Sequence, residues 1–462
     1  MRTTRHSTHC ATLLFWRYNT PSAYVNRKQQ PRNPERAAPP VALANNLELP
    51  VIVEVILDIG GPHLLSFSLW IMSVDERPYS PSLPWRITSA ATFGAVGFLS
   101  RSFLFLFNKT EVRGLDRFME ILDARKDESQ RERGLITVSN HVSVLDDPMV
   151  WGVLPNRYFW DPNNMRWSLG SYDICFKNGL LSAFFSYGNT LPTHRAAHSK
   201  FGGLFQPTMT QCIRLLSDPH KTEDSKTDWK EAYRTSSLSS IPSSDPFSSA
   251  ELTYSTNGTD SFPAPSAYPS RRFSWIHIFP EGMIHQHPDK VMRYFKWGVA
   301  RLILESEPCP DVLPMWIDGP QQVMDNNRGF PRPLPRIGRE VKITFGELVD
   351  SEKVFEPFRQ KWQEMKQRAR RKRERLLQMG ELDVDEKAEL GILNDDELKY
   401  GKEAEQLRID LTLAVRNEVL NVRRSCGLPD EDPKRTLADS FREEGTFGRD
   451  GLKKDGSSIK QG

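Results

Sequence analysis

The stretch LITVSNHVSVLDDPMVW, residues 135–151, decides how the chain is read. It begins as a β-branched apolar run, Leu135 to Ser139, of the length of a buried strand. It turns polar at Asn140 and His141, then closes on Asp146, Asp147 and Pro148 before apolar residues resume. Three further runs read as strands: SWIHIF at 274–279, VLPMWI at 312–317 and VKITF at 341–345. Helical spacing falls between them, in QPTMTQCIRLLS at 206–217 and YFKWGVARLILES at 294–306. The alternation predicts an α/β layered fold with a mostly parallel or mixed sheet flanked by helices. In such sheets ligands sit beyond the strand ends, where His141 and the segment after Phe279 would both lie.

Composition narrows the class. A mean hydropathy of −0.53 excludes a polytopic membrane protein, and a net charge of +3 is too small for nucleic acid to be the main partner. Five cysteines, scattered and without a C-x-x-C pair, argue against a disulfide framework and a zinc site. The first 34 residues carry six Lys or Arg and no acid, which reads as a mitochondrial transit peptide or as a plain basic tail. The apolar stretch 51–72 contains Glu54, Asp58 and a Gly-Gly-Pro break, so it is not expected to span a bilayer. The stretch 85–108 has only 14 residues between Arg86 and Arg101. That is short of the roughly 20 needed to cross, so it is expected to lie in the interface, with Trp85 and both arginines at headgroup level.

These shifts suggest five regions: an N-terminal extension over 1–80, an interfacial anchor and lead-in helix over 81–125, an α/β domain over 126–350, helices over 351–430, and a disordered tail over 431–462. Within the domain, residues 221–270 are Ser- and Pro-rich and read as a disordered insertion. The stretch 359–375 has nine basic residues in seventeen and suits contact with anionic lipid or solvent. Leu407, Leu411, Val415 and Val419 recur every four residues and mark an amphipathic helix.

No nucleophile elbow, zinc-protease helix, Walker loop or dinucleotide turn occurs. An aspartate before Pro148 is what a helix start looks like, so Asp147 reads as a cap. His141 and Asp146 are then left to pair, with the carboxylate fixing the imidazole tautomer. The bland alternative is a satisfied polar histidine at a strand end. A second group is GNTLPTHRAAHSKFGGLFQ at 188–206, where Gly188 permits close approach and the Arg195 fork suits a phosphate. A third is FPEGM at 279–283, where Gly282 would let backbone N–H groups face an anion. Glu281 there is expected to shape the loop or hold a hydroxyl. His285 and His287 have no carboxylate cluster, so they read as a loop and no metal is expected.

The order of His-(four residues)-Asp, a Gly-and-Arg segment, FPEG and a Pro-containing strand resembles the glycerolipid acyltransferase superfamily. NHVSVLDDPMVW, RWSLG at 166–170, FPEG, RYFKWGVARLI at 293–303 and DELKYGKEAEQLR at 396–408 are similar, in that order, to its cardiolipin-remodelling branch. The resemblance covers about residues 85–425. It implies a transacylase that moves a fatty acyl chain between a phospholipid and a lysophospholipid without coenzyme A or any other cofactor. It implies a monotopic protein of the mitochondrial inner and outer membranes, facing the intermembrane space and associating with membrane complexes. His141 would be the general base and Asp146 its partner, with Asn140, Asp147 and Pro280 supporting them. Arg195, Glu281, Gly282 and Gly188 would bind the glycerophosphate part. The sequence departs from the superfamily pattern at Met283, where many members carry a small polar residue or lysine. Two rival readings are an acyl-CoA-dependent lysophosphatidic acid acyltransferase and a non-catalytic membrane scaffold.

Overall fold

Residues 52–58, 64–70, 79–196, 198–220, 252–379 and 389–433 are described by a computed structural model. The basic leader at 1–34, insertion residues 221–251 and the tail beyond 433 lie outside the described residues. In an N-terminal unit, β1 (Ile52–Asp58) and β2 (Leu64–Trp70) pair as an antiparallel ribbon.

The main unit runs α1 (Leu83–Phe107), β3 (Lys109–Arg113), α2 (Leu115–Ala124), β4 (Leu135–Ser139), α3 (Asp146–Gly152), β5 (Trp167–Ser171), α4 (Tyr172–Cys175), α5 (Gly179–Tyr187), β6 (Thr190–Thr193) and α6 (Pro207–Leu216). A two-residue pair, β7 (Thr253–Tyr254) and β8 (Phe262–Pro263), precedes β9 (Trp275–Ile278), α7 (Gly298–Glu305), β10 (Asp311–Asp318), α8 (Pro320–Val323) and β11 (Glu340–Phe345). Four more helices follow among the described residues: α9 (Ser351–Val354), α10 (Glu356–Gln378), α11 (Asp396–Tyr400) and α12 (Lys402–Ser425).

Seven strands form one sheet in the order β3-β11-β10-β4-β9-β5-β6. The pairs β10–β4, β4–β9, β9–β5 and β5–β6 are parallel, and β10–β11 is antiparallel. The sheet is therefore mixed and mostly parallel, as the strand–helix alternation predicts. Its central strands are apolar on both faces because helices cover both. In β10, Val312 and Trp316 enter one core with Ile213, Val299 and Leu411, while Leu313, Met315 and Ile317 enter the other with Phe118, Val150 and Trp151. Leu407, Leu411, Val415 and Val419 of α12 all lie in the first core, so the amphipathic helix becomes a structural wall of the domain.

Three expectations change. Residues 252–270 are ordered rather than disordered: Phe262 packs edge-on against the rings of Tyr172 and Phe176, and the turn through the buried Ala267 contacts α6. Arg101, expected to point outward, turns in toward the domain. Its guanidinium donates to the carbonyls of Val153 and Leu154 at 2.7 and 3.1 Å, which caps the end of α3. An arginine aimed at free helix carbonyls gains charge-assisted hydrogen bonds, which is why it turns inward. Third, α1 is one continuous helix of 25 residues, long and apolar enough to cross a membrane by length and composition alone.

The docked face of α1 is built for close approach. Gly94 and Gly97 lie under Trp160 and Phe159, and Ser89 donates to the Tyr187 carbonyl at 2.6 Å. A β-carbon on Gly97 would fall 2.5 Å from the Phe159 ring, itself buried. The opposite face leaves Ile87, Phe98, Leu99 and Leu106 exposed. Gly97→Val is therefore expected to destabilise the domain by about 1–3 kcal/mol through overpacking. A lowered melting temperature by circular dichroism checks it; an unchanged value would mean α1 does not dock in this way.

Candidate active site

β4 and β9 are neighbours in the sheet and point the same way, so the residues that follow each of them meet at one edge. Asn140 fixes the first turn. Its side-chain amide donates to the Ile317 carbonyl and accepts the Ile317 N–H, both at 2.8 Å, a strand-like exchange made by a side chain. His141 comes next. Its Nδ1 lies 2.8 Å from Asp146 Oδ2, and the same oxygen accepts the Val142 and Ser143 N–H groups at 2.6 and 2.8 Å. Because that oxygen accepts, Nδ1 carries the imidazole proton and Nε2 presents a lone pair. Nε2 makes no hydrogen bond among the described residues, and the side chain is 21% exposed, so a substrate can reach it. The ring stacks on Phe279 at 4.2 Å, which fixes its plane.

Asp146 is fully buried, and burial pushes its carboxyl upward against the pull of His141 and the two backbone N–H groups. Asp147 is not the cap that the sequence suggested. Both aspartates are already helical, Pro148 is the third residue of α3, and the helix has no side-chain cap at Leu145. The Asp147 carboxylate instead receives Arg166 Nε at 3.0 Å, a second Arg166 nitrogen, and Trp151 Nε1 at 3.0 Å. Burial alone would raise it, but the Arg166 guanidinium holds it below the usual carboxylate range. The Asp147 carboxylate therefore serves a tertiary contact rather than helix initiation.

Glu281 ties the two loops together. It is 1% exposed, and its Oε1 accepts the His141 N–H while Oε2 accepts the Arg293 N–H, each at 2.8 Å. Burial pushes its carboxyl up to about 8, against those two donors and the Arg293 and Arg416 charges. Gly282 has a φ of +65°, where glycine is at ease. A β-carbon there would meet the Lys296 ammonium at 2.6 Å, so Lys296 lies directly over the loop. The Lys296 N–H donates to the Pro280 carbonyl at 2.8 Å, which locks the strand end to the approach of α7. Burial, with repulsion from Arg293 and Arg195, pulls the Lys296 ammonium below its ordinary value.

Arg195 is thus electrically close to the FPEG loop, but its guanidinium pairs with Asp173. Gly188 closes α5 and gives its carbonyl to Arg166 at 2.9 Å, a backbone support behind Asp147. Sequence reasoning missed Arg166, Phe279 and Lys296 as parts of this constellation. Each had a signal: Arg166 and Lys296 are lone bases beside apolar runs, and Phe279 directly precedes Pro280. Among the described residues, no group of three or more His, Cys, Asp or Glu side chains could hold a metal ion.

A histidine held by a buried carboxylate, with its far nitrogen bare, can take a proton from a hydroxyl. No family model matches the chain. Tafazzin of Saccharomyces cerevisiae is 34% identical over 365 residues, covering 76% of this chain and 81% of the relative. The chain belongs to the tafazzin family. An N-acylphosphatidylethanolamine synthase of Arabidopsis thaliana is 29% identical over 55% of this chain and 68% of its own length. Among solved structures, the 1-acyl-sn-glycerophosphate (LPA) acyltransferase PlsC of Thermotoga maritima covers 61% of this chain and 77% of its own, at 16% identity and a TM-score of 0.30. As a tafazzin relative the chain is an acyltransferase of phospholipids, the activity that the motif resemblance implied.

The raised Glu281 carboxyl makes stability pH-dependent. A folded-state value above the unfolded one adds stability that is complete below about 4.5 and disappears as pH rises through about 8. Wild type is therefore expected to lose melting temperature relative to Glu281→Gln across that interval. Parallel melting curves over pH would contradict the burial of Glu281.

Proposed function

We propose that the chain is a coenzyme A-independent transacylase that moves acyl chains from a phospholipid such as phosphatidylcholine to monolysocardiolipin. The observation that carries the mechanism is the 2.8 Å contact from His141 Nδ1 to Asp146 Oδ2, which leaves Nε2 bare. Nε2 takes the proton of the acceptor hydroxyl as that oxygen attacks the donor ester carbonyl. The tetrahedral intermediate collapses, expelling the donor's alkoxide, which takes the proton back from Nε2. One ester is exchanged for another, so the step is nearly thermoneutral and needs no ATP. Direct attack is favoured over an acyl-enzyme because, among the described residues, neither flanking hydroxyl bonds the His141 ring: Ser139 Oγ donates to the Asn140 carbonyl at 3.1 Å and Ser143 Oγ accepts the Leu145 N–H at 3.2 Å.

Lys296, over Gly282, and Arg195 supply the positive charge that a glycerophosphate requires. Arg195 reaches it by sharing its guanidinium between phosphate and Asp173. Asp146 is the orienting residue, and Asn140, Asp147, Pro280, Gly188 and Glu281 hold the two loops in place. The exposed apolar face of α1 seats the enzyme on a membrane, with the docked face holding the domain at the lipid surface. We place it on the mitochondrial membranes, facing the intermembrane space, a reading supported by the family and by the acid-free leader.

Purified protein on vesicles of labelled phosphatidylcholine and monolysocardiolipin, without coenzyme A, tests this reading. Wild type is expected to transfer label, and His141→Ala to lose about 10³-fold in rate, within the usual worth of a general base. Transfer only after addition of acyl-CoA would instead favour an acyl-CoA-dependent acyltransferase. Equal rates in both proteins would remove His141 from the chemistry.

A further inference from the structure

Residues 289–297, which lead from the FPEG loop to α7, form no helix or strand, so their carbonyls need partners from elsewhere. Helix α12, more than a hundred residues later in the sequence, supplies them. Arg416 donates to the Arg293 and Met292 carbonyls at 3.2 and 3.1 Å. Arg423 donates to the Lys290 and Asp289 carbonyls at 3.0 and 3.3 Å. Both side chains are 1% exposed, and two buried guanidinium groups this close would be costly without an anion.

Glu431 is that anion. Its side chain is 2% exposed, it pairs with Arg416, lies 3.5 Å from Arg423, and accepts the Met292 N–H at 2.7 Å. The region beyond 430, which composition assigned to a disordered tail, thus begins with a buried residue of the fold. Four carbonyls and one N–H of a five-residue segment are fastened by these three side chains. The same segment gives the Arg293 N–H to Glu281, whose other oxygen holds the His141 N–H.

We propose that Arg416, Arg423 and Glu431 are positioning residues for the reaction: they hold the 289–293 backbone as a strut that sets Glu281, and through it the placement of His141. The guanidinium fork matters here, because a single ammonium cannot serve two carbonyls and a carboxylate in fixed directions. The proposal rests on His141 acting as the base.

The test uses the full-length protein on vesicles of phosphatidylcholine and monolysocardiolipin, with kcat expressed per folded molecule from circular dichroism melts. Arg416→Gln is expected to lower kcat about 10- to 100-fold with KM for the lysolipid unchanged, the scale of a small misplacement of a catalytic group. Arg416→Lys keeps the charge opposite Glu431 and is expected to fall between that variant and wild type. If Arg416→Gln does not fold, Arg416→Lys carries the test alone, with kcat reduced several-fold. Wild-type kcat per folded molecule in either folded variant overturns the proposal, as does a rise in KM with kcat intact. Absence of transfer by wild type would instead defeat the transacylase reading itself.

Discussion

A single buried carboxyl joins the two halves of the site. Glu281 faces one backbone N–H from the loop after β4 and one from the segment after the FPEG loop, and each oxygen satisfies one of them. Neither loop has a ladder of its own at these points, so without Glu281 two buried N–H groups would be orphaned, each at a cost of about 1–3 kcal/mol. The His141 carbonyl returns the contact by accepting the His285 N–H at 2.8 Å. The histidine is thereby held through its own main chain from both directions, while Asp146 and Phe279 hold its ring. Rigid placement of this kind is what a general base needs, since proton transfer tolerates little error in distance.

The rest of the fold converges on the same turn. α1 docks by its small residues, and its Arg101 seizes the free carbonyls at the far end of α3, the helix that begins with Asp146. The helix with the exposed apolar face therefore also braces the helix that carries the carboxylate holding His141. From the opposite side of the sheet, α12 fastens the segment that Glu281 grips. Under the proposed transacylase reading both substrates are lipids, and this coupling of surface and chemistry removes the need to carry substrate through water.

Much of this was legible in the residues. The four largely apolar runs became β4, β9, β10 and β11, because strands covered on both faces are nearly continuous in apolar residues. The spacing of Leu407, Leu411, Val415 and Val419 announced α12 as an apolar face. Local rules failed where a distant partner outbid them. Asp147 beside Pro148 suits a cap, but Arg166, nineteen residues away, offers a stronger charged contact. Arg101 suits a headgroup, but the open end of α3 claims it. The polar composition of residues 252–270 suits disorder, yet the buried Phe262, Ala264 and Ala267 are enough to anchor them. No periodicity could have indicated that Arg416 and Glu431 support a loop more than a hundred residues earlier in the sequence.

The protonation of one imidazole carries the account. Nitrogen-15 NMR of histidine-labelled protein at neutral pH, with the His141 resonances assigned by their loss in a His141→Asn sample, would read it directly. The account predicts a neutral ring with its proton on Nδ1, bonded to Asp146, and a bare Nε2. A neutral ring protonated on Nε2 would contradict it, because that nitrogen could then accept nothing from a lysolipid hydroxyl.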